Sequence, residues 1–146
     1  MARILNNKKI NAEKLLQQPS PIILCTDRKD YDDAITTAGY KKISLNLPLA
    51  KSIKGTSASM IQFDVFKKIR NILPRTEWVF LTDYEILFDP RYSLDVIRLF
   101  SELSPHVKMI IKWCGTVNEE TLVYSERGYD DYKCYKISNY DITAIV

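Results

Sequence analysis

Apolar residues in this chain fall into short blocks whose internal spacing alternates between two periods. Ile22-Ile-Leu-Cys-Thr26 is an apolar run closed by a polar residue, which predicts a short buried strand. Asp27–Asp30 follows as a polar turn, and Asp30–Ala38 reads as a short helix stopped by Gly39. Lys42-Ile-Ser-Leu-Asn-Leu47 alternates apolar and polar residues and predicts a second strand, closed by Pro48, with one turn of helix over Leu49–Ile53. Between Ser57 and Leu73, the residues Met60, Ile61, Val65, Phe66, Ile69 and Leu73 recur every three or four positions. That is an amphipathic helix, ended by Pro74. A third strand is predicted over 78–82. A helix follows on Leu94, Ile97, Phe100 and Leu103, then a fourth strand over Val107–Trp113, ending at Gly115. Leu122–Tyr124 reads as a fifth strand and Ile142–Val146 as a last edge strand. Asn11 caps a short helix to about Gln18, ended by Pro19 and Pro21. Strand and helix alternate through most of the length. The pattern predicts a three-layer α/β domain over residues 1–146, with a mostly parallel five-stranded sheet and a helical extension at 1–20. No internal repeat, linker or low-complexity segment interrupts it.

Composition narrows this picture. The 146 residues are 46% hydrophobic, enough for a real core and too many for a disordered chain. The net charge of +3 is mild and its lysines and arginines are dispersed, so a solvated mixed-charge surface is expected. The alternative is a nucleic-acid footprint on Lys41, Lys42, Lys51, Lys54, Lys67, Lys68 and Arg70. Cys25, Cys114 and Cys134 form no Cys-x-x-Cys pair and His106 is the single histidine, which excludes a zinc site and a Ser-His-Asp or Cys-His nucleophile. Cys25 and Cys114 lie in apolar runs and are expected as reduced core residues. No signal peptide and no run near the ~18–20 residues of a membrane span is seen, so a cytoplasmic location without membrane contact is expected.

The chemistry concentrates where Trp78-Val-Phe-Leu-Thr82 runs into Asp83 and Glu85. An acid at the carboxyl end of a buried parallel strand is where nucleotide-hydrolysing α/β folds hold magnesium and an attacking water, so the domain reads as P-loop NTPase-like. The partner motif is missing. A phosphate loop needs glycines, so that backbone N–H groups can approach the phosphates, and a lysine to neutralise them. Here the first strand enters Asp27-Arg-Lys-Asp-Tyr-Asp-Asp33, with no glycine and four acids in seven residues. Each carboxylate beside a triphosphate would repel it by roughly a kcal/mol or more. Lys54-Gly-Thr56 has the wrong order and reads as a turn before the 57–73 helix.

Four further segments keep one order: Ile43-Ser-Leu-Asn-Leu-Pro-Leu49, Glu85-Ile-Leu-Phe-Asp-Pro90, Lys112-Trp-Cys-Gly115, and Leu122-Val-Tyr-Ser-Glu-Arg-Gly128 followed by Tyr132. Together they span about two thirds of the chain and resemble BrxF, the small P-loop protein of type 3 BREX phage-defence systems. The resemblance implies the fold and a role in antiviral defence. The family also carries a glycine-rich loop after its first strand, and an aspartate three positions before the glutamate matching Glu85. This chain has Asp27–Asp33 and Thr82 there. ATPase activity is therefore not carried over by the resemblance.

Each candidate has a structural and a functional reading. Asp83 and Glu85, two apart in a continuing strand, would face the same side; as a catalytic pair they would hold magnesium or polarise water. As structural residues they cap the next turn or meet a lysine. Thr26, Asp27 and Thr82 sit where a ligand would bind at the sheet edge, with loop solvation as the alternative. Trp113 is expected to pack in the core with its N–H bonded nearby. Tyr124, Tyr129, Tyr132, Tyr135 and Tyr140 form either a half-buried hairpin or an interface. The expectation is a pseudo-ATPase adaptor or scaffold in a defence assembly, without cofactor, whose partners are other proteins of that assembly or a second copy of the chain. The alternatives are an ATP- and magnesium-dependent enzyme or sensor, and a DNA-binding accessory module.

Overall fold

The computed structural model describes residues 1–75 and 78–146. Its strands are β1 (Arg3–Leu5), β2 (Ile22–Leu24), β3 (Lys41–Ser44), β4 (Val79–Thr82), β5 (Met109–Lys112), β6 (Thr116–Asn118), β7 (Thr121–Tyr124), β8 (Lys133–Lys136) and β9 (Thr143–Ile145). Its α-helices are α1 (Ala12–Leu16), α2 (Lys29–Thr37), α3 (Asn46–Ile53), α4 (Ala58–Ile72) and α5 (Val96–Leu103). The architecture is α/β. A six-stranded sheet runs β1-β9-β2-β5-β4-β3, all of its pairs parallel, and a separate antiparallel sheet runs β6-β7-β8.

Alternation along the strands divides the core into two layers. Ile22, Leu24, Phe80, Ile110 and Ile145 point to what we term the front, where they pack on Leu15 of α1 and Tyr31 and Ile35 of α2. Ile23, Val79, Leu81, Met109, Ile111 and Ala144 point to the back, against α3, α4, α5 and the small sheet. The front cover is incomplete. On β3, Lys42 and Ser44 are exposed, and Thr82 on β4 is only partly buried. The back is closed by aromatics: Tyr84 meets Phe100 edge-on at 5.1 Å, and Phe88 stacks on Tyr124 at 3.8 Å.

Four expectations change. The main sheet has six strands rather than five, because residues 1–18 contribute β1 as well as the short α1. Ile142–Val146 is not an edge strand: β9 lies inside the sheet, between β1 and β2. The Leu122–Tyr124 strand belongs to the antiparallel sheet. The strand over Lys42–Leu47 ends at Ser44. The N–H groups of Leu45 and Asn46 both donate to the Asp83 carbonyl, at 3.1 and 2.6 Å, and turn the chain into α3. Pro48 then lies in the first turn of that helix, where its missing N–H costs nothing. Gly115 is required where β5 leaves for β6, because a Cβ there would lie 1.9 Å from the Val123 carbonyl oxygen.

Candidate functional site at the carboxyl edge of the sheet

The loop from β2 to α2 spans only residues 25–28. Two cations fasten it. The Lys112 ammonium, at the end of the neighbouring β5, donates to the Thr26 carbonyl at 2.8 Å and forms an ion pair with Asp27. That hydrogen bond and the lysine's charge hold the Asp27 carboxyl below the usual carboxylate range. The Arg28 guanidinium grips Asp30 through two bonds of 2.9 and 2.6 Å and reaches the Asn7 carbonyl at 2.6 Å. It also donates to the Tyr31 hydroxyl, itself bonded to the carbonyls of Asn7 and Ile10. Acids and cations of the loop thus satisfy one another, and the N-terminal segment is stitched to the start of α2.

The acidic segment after β4 behaves differently from a continuing strand. Asp83 takes a left-handed conformation, φ 49°, and Glu85 opens a turn of 3-10 helix over Glu85–Phe88. The two carboxylates therefore do not share one face of a strand, which corrects the expectation. Asp83 accepts from the Ser44 hydroxyl at 2.8 Å. Glu85 accepts from the Asn46 amide nitrogen at 2.6 Å, while the Asn46 side-chain oxygen accepts from the Ile86 N–H at 3.0 Å. Both acids tether rather than cap, and their partners are a serine and an asparagine rather than the lysine that the structural reading allowed; the Ile86 N–H is taken by Asn46 instead.

Asp27 and Thr82 do come together, in a front-face cleft of about 170 Å³ with Asp32, Thr36, Lys42, Phe80 and Lys112. Thr26 contributes its carbonyl, which accepts from Lys112, whereas the Thr82 hydroxyl donates to Asp83 at 3.3 Å. Sequence reasoning missed Lys112, although a lysine closing the run Met109-Ile-Ile is the kind of polar residue that reaches over a sheet edge. It also missed Asn46, Asp32 and Thr36, which carry no signal beyond ordinary helix polarity.

The other candidates disperse. Alternation sends Lys41 and Lys42 to opposite faces of β3. Lys51 and Lys54 lie on α3 and just beyond it, and Lys67, Lys68 and Arg70 lie on α4, where Lys67 and Lys68 flank Asp64. Trp113 is buried, its indole N–H donating to the Thr116 carbonyl at 2.9 Å. Of the tyrosines, Tyr135 is buried, Tyr124 stacks on Phe88, Tyr140 donates to Asp95 at 2.9 Å, and Tyr129 is 64% exposed. Cys25 and Cys114 are free and partly buried, and burial pushes both thiols up to about 12; Cys134 is free and exposed. Among the described residues, no group of three or more His, Cys, Asp and Glu is placed to hold a metal ion. Nor is any described helix long and apolar enough to cross a membrane.

Comparison with known proteins finds no family model, no curated protein and no solved structure that matches this chain.

Proposed function

We propose that this chain is a BrxF-like, P-loop-NTPase-like domain without catalysis, serving as a protein adaptor in a phage-defence assembly. The observation that carries the reading is the fastened loop after β2. A triphosphate at that edge would need free backbone N–H groups and an unengaged cation. The loop instead has four residues, no glycine, and an ammonium already shared between Thr26 and Asp27. The acids that would manage magnesium are committed to Ser44 and Asn46.

The strand order supports the P-loop part of the reading. β5 lies between the strand that would carry the phosphate loop, β2, and the strand that ends in acids, β4. Parallel α/β sheets hold ligands in the crevice outside the carboxyl ends of such neighbouring strands. Apolar residues on the back layer support the adaptor part. Phe63 and Met60 lie three apart on α4, 76% and 49% exposed, and Leu47 on α3 is 64% exposed. Aromatic and methionine side chains left in water are the kind that protein interfaces use.

The test is capture of tagged protein from its native host, with the wild type beside Phe63→Ser and Met60→Ser. The reading expects defence proteins to accompany the wild type and to be lost from the two variants. Recovery of the chain alone, or magnesium-dependent ATP turnover by the purified protein, would contradict it.

A further inference from the structure

The front-face cleft has more hydrogen-bond donors than its own residues use. Lys112 spends two of its three N–H donors on Thr26 and Asp27. Lys42 lines the same space and forms no ion pair among the described residues. The Thr82 hydroxyl has only long contacts, 3.5 Å to the Ile43 carbonyl and 3.3 Å to Asp83. Phe80 forms an apolar lining. At the mouth stands Asp27, whose side chain is 94% exposed and held by Lys112 alone among the described residues. A carboxylate so exposed gains little from its ion pair and is readily exchanged for another.

We propose that the cleft binds a small monocarboxylate, a two- to four-carbon 2-hydroxy acid, and that Asp27 is the resident carboxylate it displaces from Lys112. Charge sets the class. With Asp27 swung out, Lys42 and Lys112 face Asp32, leaving a single net positive charge to be neutralised. A dianion such as phosphate would meet Asp32 with excess charge. A 2-hydroxyl group would instead donate to the Asp32 carboxylate. The volume of about 170 Å³ equals some five or six waters at ~30 Å³ each, room for an acid of that size. The inference shares the Lys112–Asp27 pair with the proposed function and leaves that reading intact: exchanging one exposed carboxylate for another keeps the Lys112 bond to Thr26 and the short, glycine-free loop that oppose a triphosphate.

Amide chemical shifts, followed as lactate, acetate or inorganic phosphate is added to the ¹⁵N-labelled full chain, provide the test. Saturable shifts at Thr36, Lys42, Thr82 and Lys112 are expected with lactate, weaker ones with acetate, and the weakest with phosphate. Asp27→Ala, which removes the competitor, is expected to tighten lactate about three- to fivefold. Lys42→Met should weaken it about fivefold or more, and Lys42→Arg should restore it. Absence of saturation in the wild type and in Asp27→Ala alike would overturn the site. Phosphate binding more tightly than lactate would overturn the ligand class, and unchanged affinity in Asp27→Ala would overturn the exchange.

Discussion

The two faces of the main sheet treat polar groups in opposite ways. On the back, three helices and a second sheet leave little uncovered, and most polar tips are used, although the buried Tyr135 hydroxyl has no partner among the described residues. Tyr84, fully buried, donates its hydroxyl to the Lys112 carbonyl at 2.6 Å; Asn46 bridges Glu85 and the Ile86 N–H. On the front, two short helices stop before β3, and Lys42, Thr82 and Lys112 keep unused capacity over an apolar lining. The contrast teaches where chemistry can reside. A closed layer converts its polar residues into structure, because a buried group without a partner costs about 1–3 kcal/mol. An unfinished layer leaves them for a ligand.

The contrast can be broken most forcefully at the back. Phe100→Ala removes a fully buried ring packed edge-on against Tyr84 and is expected to cost about 3–5 kcal/mol in urea unfolding. A cost under about 1 kcal/mol would show that the back layer is looser than described. Asn46→Ala orphans Glu85 and the Ile86 N–H together, for an expected loss of about 1–2 kcal/mol. Were Asn46→Ala neutral while Glu85→Ala abolished an activity, the tether would be the wrong role for Glu85. Tyr84→Phe keeps the ring and deletes one bond to the Lys112 carbonyl, so a loss of about 1 kcal/mol is expected, visible as a shift of the urea midpoint at constant slope.

The smallest effect belongs to the front and the loop. Asp27 and Asp30 are held below their ordinary carboxylate values by hydrogen bonds from Lys112 and Arg28. A carboxylate with a lowered folded pKa contributes stability that is fully present above its unfolded value, about 3.9, and is lost as pH falls through the folded value. Both groups are solvent-screened, so the loss below about pH 4 should be slight and should shrink further at 0.5 M salt. Titration of the Asp27→Asn, Asp30→Asn double variant from pH 7 to 3 checks this. The portion of acid destabilisation due to these pairs should vanish, and an unchanged acid limb would contradict their assignment.

Much of the layered plan was legible in the chain. Continuous apolar runs at 22–24, 79–81 and 109–111 mark strands covered on both faces, and the spacing of Ile61, Val65 and Ile69 marks the buried stripe of α4. What escaped was set by long-range backbone bonds. The Ile43, Leu45, Leu47 alternation looks like strand to its end, yet the Asp83 carbonyl captures Leu45 and Asn46 and the chain coils. Arg3–Leu5 becomes a strand only because β9 offers an edge, and β9 itself is interior only because β1 covers it. The site divided likewise. Absence of glycine at 27–33 was readable, and so was the acidic turn after β4. The lysine that closes the loop comes from position 112, brought alongside by the pairing of Leu24 with Lys112.

The measurement closest to the central claim is an amide-resolved titration of the full chain with magnesium and ATP into the millimolar range. The fastened loop predicts that the signals of residues 25–30 stay in place and that no saturable heat appears in parallel calorimetry. Saturable movement of those signals, with Lys112 leaving Asp27 to meet a phosphate, would contradict it.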